Sequence, residues 1–342
     1  MKIKVSSPSR YSREKWGEFF PKGEQKIGDA EFFVNEKVEE ADFWFVIEGT
    51  LPDDSEACVP RNRVVFLQAE IARPLDFFCN GGEAERYLSQ FSRVFGPIPC
   101  FAGHYENVPP FLPWFVNSAD ASDQAGRRDW DFFNTDTPVD KREELSMILS
   151  AKSQHSNHRV RFQFAERLSQ HLGKSMHWFG NGINNIPNKW DGLAPYRYTI
   201  ILENSQIRNG ITEKVIDSAL CLTQPIYAGA PNLNDYFPER YIVKIDIADL
   251  DFSIHQIERT LAQDEPSPQL TDLLAFRSLA LEKFSLFHRI YRLAIEIAAD
   301  EVSENPQLRS ISPQKLQPTR RGALSHLRRA ISLPGIKLQR ER

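Results

Sequence analysis

The chain has 342 residues, 41% hydrophobic and 11% aromatic, enough to bury the cores of two or three domains; 26% charged residues, 22 prolines and 17 glycines exclude collagen-like, low-complexity and wholly disordered classes. Cysteines at 58, 79, 100 and 221 include no C-x-x-C pair, so neither a zinc cage nor a disulfide framework is expected. The net charge of −4 is uneven: residues 315–342 hold eight Lys or Arg against Glu341 alone, and the other 314 carry 34 basic against 45 acidic residues, which excludes a nucleic-acid-binding domain with positive charge spread over a folded face.

The amino terminus, MKIKVSSPSRYSREKW, carries charge with no apolar run behind it, so neither a secretory signal nor a membrane anchor is expected. No stretch reaches the roughly 18 apolar residues of a transmembrane helix, and a cytoplasmic location is the expectation. MKIKV (1–5), ADFWFVIEG (41–49) and NRVVFLQAE (62–70) predict buried strands of a parallel sheet, and AERYLSQFSRVF (84–95) has helical spacing. Gly96 to Pro138 is rich in loop signals, with PPFLP at 109–113 and NSADASDQAGRRD at 117–129.

From Lys141 a second α/β series is predicted: a helix containing Arg161 and Leu168, strands MHWFG (176–180) and YTIILEN (198–204), a helix TEKVIDSALCL (212–222), and strands PIYAG (225–229) and YIVKID (241–246). Leu270 to Ala299 predicts one or two amphipathic helices packed on a domain, and residues 303–319 a linker.

Chemistry concentrates in residues 198–235. A buried strand ends in Glu203 and Asn204, and a short loop leads to a helix opening with Thr212, Glu213 and Lys214. Ligands of open parallel sheets bind beyond the carboxyl ends of strands, where a helix amino terminus offers N–H groups to a phosphate. Lysine is disfavoured beside the positive end of a helix dipole, so Lys214 is expected to have an anionic partner. The alternative is an ordinary solvated first turn. His155 and His158 lie three apart with no third ligand, so no metal site is expected. His104 could face a cleft or simply the solvent, and Trp114 could stack on a sugar or fill a core.

The same string closely resembles the donor-binding signature of the α-1,3-fucosyltransferases, glycosyltransferase family ten. The matching elements are Glu203-Asn204-Ser205, Thr212-Glu213-Lys214, the run Pro225 to Pro231 that includes Tyr227, and Asp235-Tyr236-Phe237. An upstream helical arginine that binds the diphosphate is matched by Arg161 in RFQFAERL (161–168), with Ala165 in place of the family's tyrosine and Arg159 as the alternative. The family's catalytic glutamate, placed after a buried strand and before a proline, is matched by Glu70 in VVFLQAEIARP (64–74). One departure is Gly210, where the family often has an aromatic residue that holds the nucleotide; Arg208 or Asn209 could substitute.

The resemblance implies an α/β fold of the GT-B type, two Rossmann-like domains facing across a cleft. Residues 1–140 would form the acceptor domain, 141–302 the donor domain, and 303–342 a linker and basic tail. It implies inverting transfer of L-fucose from GDP-fucose to a hydroxyl of a glycan, with the nucleotide-sugar donor and the glycan acceptor as partners. Glu70 would act as general base; Arg161 and Lys214 would neutralise the diphosphate. Glu213 would accept from ribose hydroxyls, Asn204 and Thr212 would shape the donor site, and Glu203, Ser205 and Tyr227 would line it. No cofactor is required on this reading, a divalent metal acting at most as a stimulant. The tail 315–342 alternates basic pairs with Leu and Ile, which suits peripheral contact with an anionic membrane face, a solvated tail being the alternative. Two other functions stay open: the same fold with another nucleotide sugar, and a non-catalytic binding module.

Overall fold

The computed structural model describes residues 1–9, 12–48, 56–69, 82–100, 104–117, 128–151, 156–263, 269–300 and 311–316. Glu70, Cys79, His155 and the tail beyond 316 therefore lie outside the described residues.

The first half is built on β1 (Lys2–Ser6), β2 (Lys26–Ile27), β3 (Ala30–Val34), β4 (Phe43–Ile47), β5 (Glu56–Pro60), β6 (Val64–Leu67), β7 (Arg93–Gly96) and β8 (Tyr105–Asn107). All but β5 form one sheet in the order β2-β3-β1-β4-β6-β7-β8, parallel throughout except for the short β2–β3 pairing. The run FWFVI of β4 is buried at every position, as a strand covered on both faces requires. The order turns back between β1 and β4, so the sheet is doubly wound.

The second half carries β9 (Glu143–Ile148), β10 (His177–Phe179), β11 (Tyr196–Leu202), β12 (Gln224–Ala228) and β13 (Val243–Lys244), all parallel in the order β10-β9-β11-β12-β13. Its switch point lies between β9 and β11. The helix Ser156–Leu172 buries Arg161, Phe164, Ala165, Leu168 and Leu172, a stripe at three- and four-residue spacing that puts a guanidinium on the inner face. Two doubly wound α/β units are thus present, as expected from the alternating pattern.

Three local expectations differ from the structure. Residues 93–95, where the spacing predicts the end of a helix, are in β7: the helix stops at Leu88, and Ser92, whose Oγ donates to the carbonyls of Asn62 and Val64, leads into the strand RVFG. Residues 143–148 form a central strand that no strand reading had covered. Residues 311–315, inside the expected linker, form β14 (Ile311–Lys315), which pairs antiparallel with β5.

The carboxyl-terminal helices straddle the halves. Leu270–Leu279 packs Phe276 against Phe237 and Tyr241 of the second half, and a π-helical turn, Ala280–Phe284, follows. Leu286–Asp300 then lies on the first half, Phe287 stacking on Phe20 at 4.3 Å and meeting Trp16 edge-on at 5.7 Å. One hydrophobic cluster therefore runs from Ile3 and Phe20 through Phe287 to Val215 and Phe237. No described helix is long and apolar enough to cross a membrane.

Candidate active site

Beyond the carboxyl end of β11, the chain turns at Glu203 and re-enters as the helix Glu213–Leu220. The Glu203 carboxylate is fully buried and closes this loop. Its Oε1 accepts from the Thr212 amide at 2.9 Å and the Thr212 hydroxyl at 2.8 Å, and its Oε2 accepts from Lys214 Nζ at 3.2 Å. A carboxylate thus sits where the helix's free N–H groups need an acceptor. Gly229 makes room for it: a Cβ there would lie 2.6 Å from Glu203 Cγ and 2.3 Å from the Tyr227 hydroxyl. Tyr227 accepts from the Ala230 amide at 2.9 Å, and burial, with Glu203 beside it, raises its phenol well above the usual range.

Lys214 Nζ also donates to the Thr212 hydroxyl at 2.8 Å and lies 3.8 Å from Glu213 Oε1. The anionic partners expected for this lysine are, within the chain, Glu203 and Glu213. Glu213 in turn accepts from Lys189 at 3.1 Å. Burial alone would raise its carboxyl, but Lys214 and Lys189 outweigh it and hold the group at about 2 against an ordinary 4.5. Lys189 donates a shorter bond, 2.7 Å, to Asp217, whose other oxygen accepts from the Phe115 amide at 2.8 Å. Burial disfavours the Lys189 charge, yet Asp217 and Glu213 more than offset this and raise its pKa.

Arg161 reaches the same place from the helix Ser156–Leu172. Its Nη1 donates to the Leu202 carbonyl at 3.1 Å, and its buried Nε has no hydrogen-bond partner. Burial lowers its pKa, with Glu203 and Glu213 acting in the opposite sense. Arg159, by contrast, is exposed. Asn204 is half-buried with its Oδ1 unpartnered, and Ser205 is half-buried beside it. Arg161, Glu203, Asn204, Thr212, Glu213, Lys214 and Tyr227 therefore gather at one strand end.

Asn209, at φ 62°, is buried: its side chain donates to the Asn107 carbonyl at 2.9 Å, and its Oδ1 accepts from Asn232 at 2.7 Å. Arg208 is tied to Asp235 at 2.9 Å. In the first half, Ala69 donates its amide to Glu48 Oε2 at 3.0 Å, and Glu48 itself stands at φ 33°; Glu70 comes next in the chain. Trp114 is buried against Phe19 at 4.7 Å between ring centroids, and His104 is exposed. A cavity of about 600 Å³ lies between the halves, bounded by Lys15, Glu18 and Phe19 on one side, Trp114, Phe115 and Asn117 along the connecting segment, and Ile148, Gly180, Asn181 and residues 185–189 on the other. No three His, Cys, Asp or Glu side chains converge as for a metal among the described residues.

Lys189 and Asp217 were not singled out in the sequence. The signal was there in VIDSAL: an aspartate on an otherwise apolar, buried helix face requires a cation.

No protein-family profile matches the chain. A stretch of 75 residues, 22% of the chain, is 33% identical to the α-(1,3)-fucosyltransferase FucT of Helicobacter pylori. It spans 16% of that protein, about a sixth of the curated relative's length. Crystal structures of an α1,3-fucosyltransferase with GDP and with GDP-fucose align with 84% of this chain and 92% of theirs, at 18% identity and TM-scores of 0.44 and 0.43. A sucrose-phosphate synthase from Thermosynechococcus elongatus aligns with 75% of this chain and 68% of its own, at 15% identity and a TM-score of 0.40.

Proposed function

We propose that the chain is a fucosyltransferase of GT-B architecture that moves L-fucose from GDP-fucose to a glycan hydroxyl with inversion. The observation that carries this reading is the meeting of Lys214, Arg161 and Glu213 at the end of β11, beside the switch point of the second sheet. Two cationic side chains at a helix amino terminus suit a diphosphate, and the 75-residue likeness to an α-(1,3)-fucosyltransferase supports the choice of donor.

The chemistry then divides between the halves. Glu70, from the first, takes the proton of the acceptor hydroxyl as the bond from sugar to diphosphate stretches through an oxocarbenium-like state. Arg161 and Lys214 stabilise the charge growing on the departing diphosphate, which needs no resident metal on this reading. To do so, Lys214 gives up Glu203 and the Thr212 hydroxyl for the ligand. Glu213 accepts from the ribose hydroxyls, while Asn204 Oδ1 and Arg161 Nε, both unpartnered, are available to the ligand. The tail beyond 316 adds peripheral attraction to an anionic membrane surface at the cytoplasmic face.

Gly210 favours a second reading, the same reaction with another nucleotide sugar, because no aromatic ring stands there to hold a guanine. Calorimetry with GDP-fucose, GDP-mannose and UDP-sugars distinguishes the two: GDP-fucose is expected to bind at least about tenfold more tightly than the others. Labelled fucose should appear on a glycan array, and Glu70→Gln should lower kcat by about 10²- to 10⁴-fold with donor affinity unchanged. Wild-type turnover in that variant would remove Glu70 as the base.

A further inference from the structure

We infer that Lys189 is a positioning residue, the standing counter-ion of Glu213 and Asp217, whose presence leaves Lys214 free to turn onto an anionic ligand. The inference rests on the proposed function only in taking that ligand to carry a diphosphate.

Five charges stand in a row: Asp217, Lys189, Glu213, Lys214 and Glu203. The three carboxylate side chains are 1%, 15% and 0% exposed, so each needs a cation close by. There are three acids and two lysines, and the lysines are held very differently. Lys189 is gripped by both its carboxylates, at 2.7 and 3.1 Å, and its ammonium lies 5.6 Å from the Phe115 ring centroid. Lys214 makes its shortest contact, 2.8 Å, with a neutral hydroxyl; its carboxylate contacts are 3.2 and 3.8 Å. Lys189 is the fixed cation and Lys214 the movable one.

The consequence appears when Lys214 leaves. Glu203 keeps the Thr212 amide and hydroxyl as donors. Glu213 would have Lys189 as its remaining ion-pair partner. Both lysines come closest to the same oxygen, Oε1, so Lys189 already occupies the position that replaces Lys214 there. Without Lys189, Asp217 and Glu213 are adjacent buried anions, and Lys214 is drawn back onto them and away from any ligand. Lys189 also lines the 600 Å³ cavity between the halves, and through Asp217 it is tied to the Phe115 amide of the connecting segment. The counter-ion is therefore anchored outside the helix it serves.

The test titrates the full chain with inorganic pyrophosphate, GDP and guanosine by calorimetry. Lys189→Met should weaken pyrophosphate and GDP by at least about tenfold and leave guanosine within about twofold. Lys189→Arg should stay within about threefold of wild type, and Lys189→Met with Asp217→Asn should recover only part of the loss, since Asp217 no longer needs a cation but Glu213 still lacks Lys189. Lys189→Met binding pyrophosphate as tightly as wild type would overturn the inference, as would a parallel loss of guanosine, the mark of general damage to the site. If Lys189→Met does not fold, the double variant decides: weakened pyrophosphate binding with guanosine within about twofold supports the inference, and pyrophosphate binding as tight as wild type overturns it. Wild-type chain that binds pyrophosphate but not GDP would remove the guanine-nucleotide donor and leave Lys189 in its role; wild-type chain that binds neither removes both.

Discussion

Glu203 shows how one side chain can serve the fold and the site together. Its carboxylate is fully buried, it accepts from two Thr212 donors and from Lys214, and Gly229 is the residue that makes space for it. Glu203→Gln keeps the shape but sets an amide N–H₂ or an uncharged oxygen against the Lys214 ammonium. We expect this to cost about 2–3 kcal/mol, below the usual penalty for breaking a buried pair because Lys214 is 24% exposed. A lowered urea midpoint with an unchanged m-value would report it, and an unshifted midpoint would show that the loop is held by other contacts.

At the scale of elements, the carboxyl-terminal helix Leu286–Asp300 makes the fold sensitive to acid. His288 stacks on Trp130 at 5.7 Å between centroids, and its Nδ1 lies 3.0 Å from Ser285 Oγ. Burial lowers its pKa to about 4 from an ordinary 6.5, with Glu282 opposing weakly. The folded state thus resists a proton that the unfolded chain accepts. This stability is fully present above pH 6.5 and is lost as the pH falls towards 4, by at most about 3 kcal/mol. Urea midpoints from pH 7 to 4.5 should therefore fall less steeply in His288→Gln than in wild type; identical slopes would mean that other groups carry the acid response.

Legibility also differs from element to element. The strand FWFVI is a continuous apolar run and YRYTIIL is broken only by Arg197 and Thr199, so the α/β class could be read directly, and the first turn TEK carries a charge that contradicts the helix dipole and marks where Glu203, Thr212 and Lys214 meet. The strand EELSMI could not, because three of its six residues are polar and Ser146 is buried in the sheet. RVFG follows the helix Gly82–Leu88 closely enough to continue its spacing, while Ser92 just before it is tied to the Asn62 and Val64 carbonyls. Lys189 sits in the loop NNIPNKWD, which has no periodicity, and its partners come from 24 and 28 residues further on. Tertiary pairing of that kind leaves no local trace.

For the whole molecule, the important fact is that the halves are not separate bodies. The Phe115 amide donates to Asp217 at 2.8 Å, Asn209 reaches Asn107, and a single apolar cluster spans both sheets. We expect one cooperative calorimetric transition, with the van't Hoff and calorimetric enthalpies equal. Two resolved peaks would mean that each sheet keeps its own core when the other melts.

The π-helical turn at Ala280–Phe284 is the second place where the backbone passes from one half to the other, the first being the stretch ahead of β9. A body slung on two straps can swing like a door but cannot pivot freely, since the straps define a line. Any widening between the halves would have to turn about that line. The Asn209–Asn107 bridge and the Phe115–Asp217 hydrogen bond both join the halves and would have to break in such a turn.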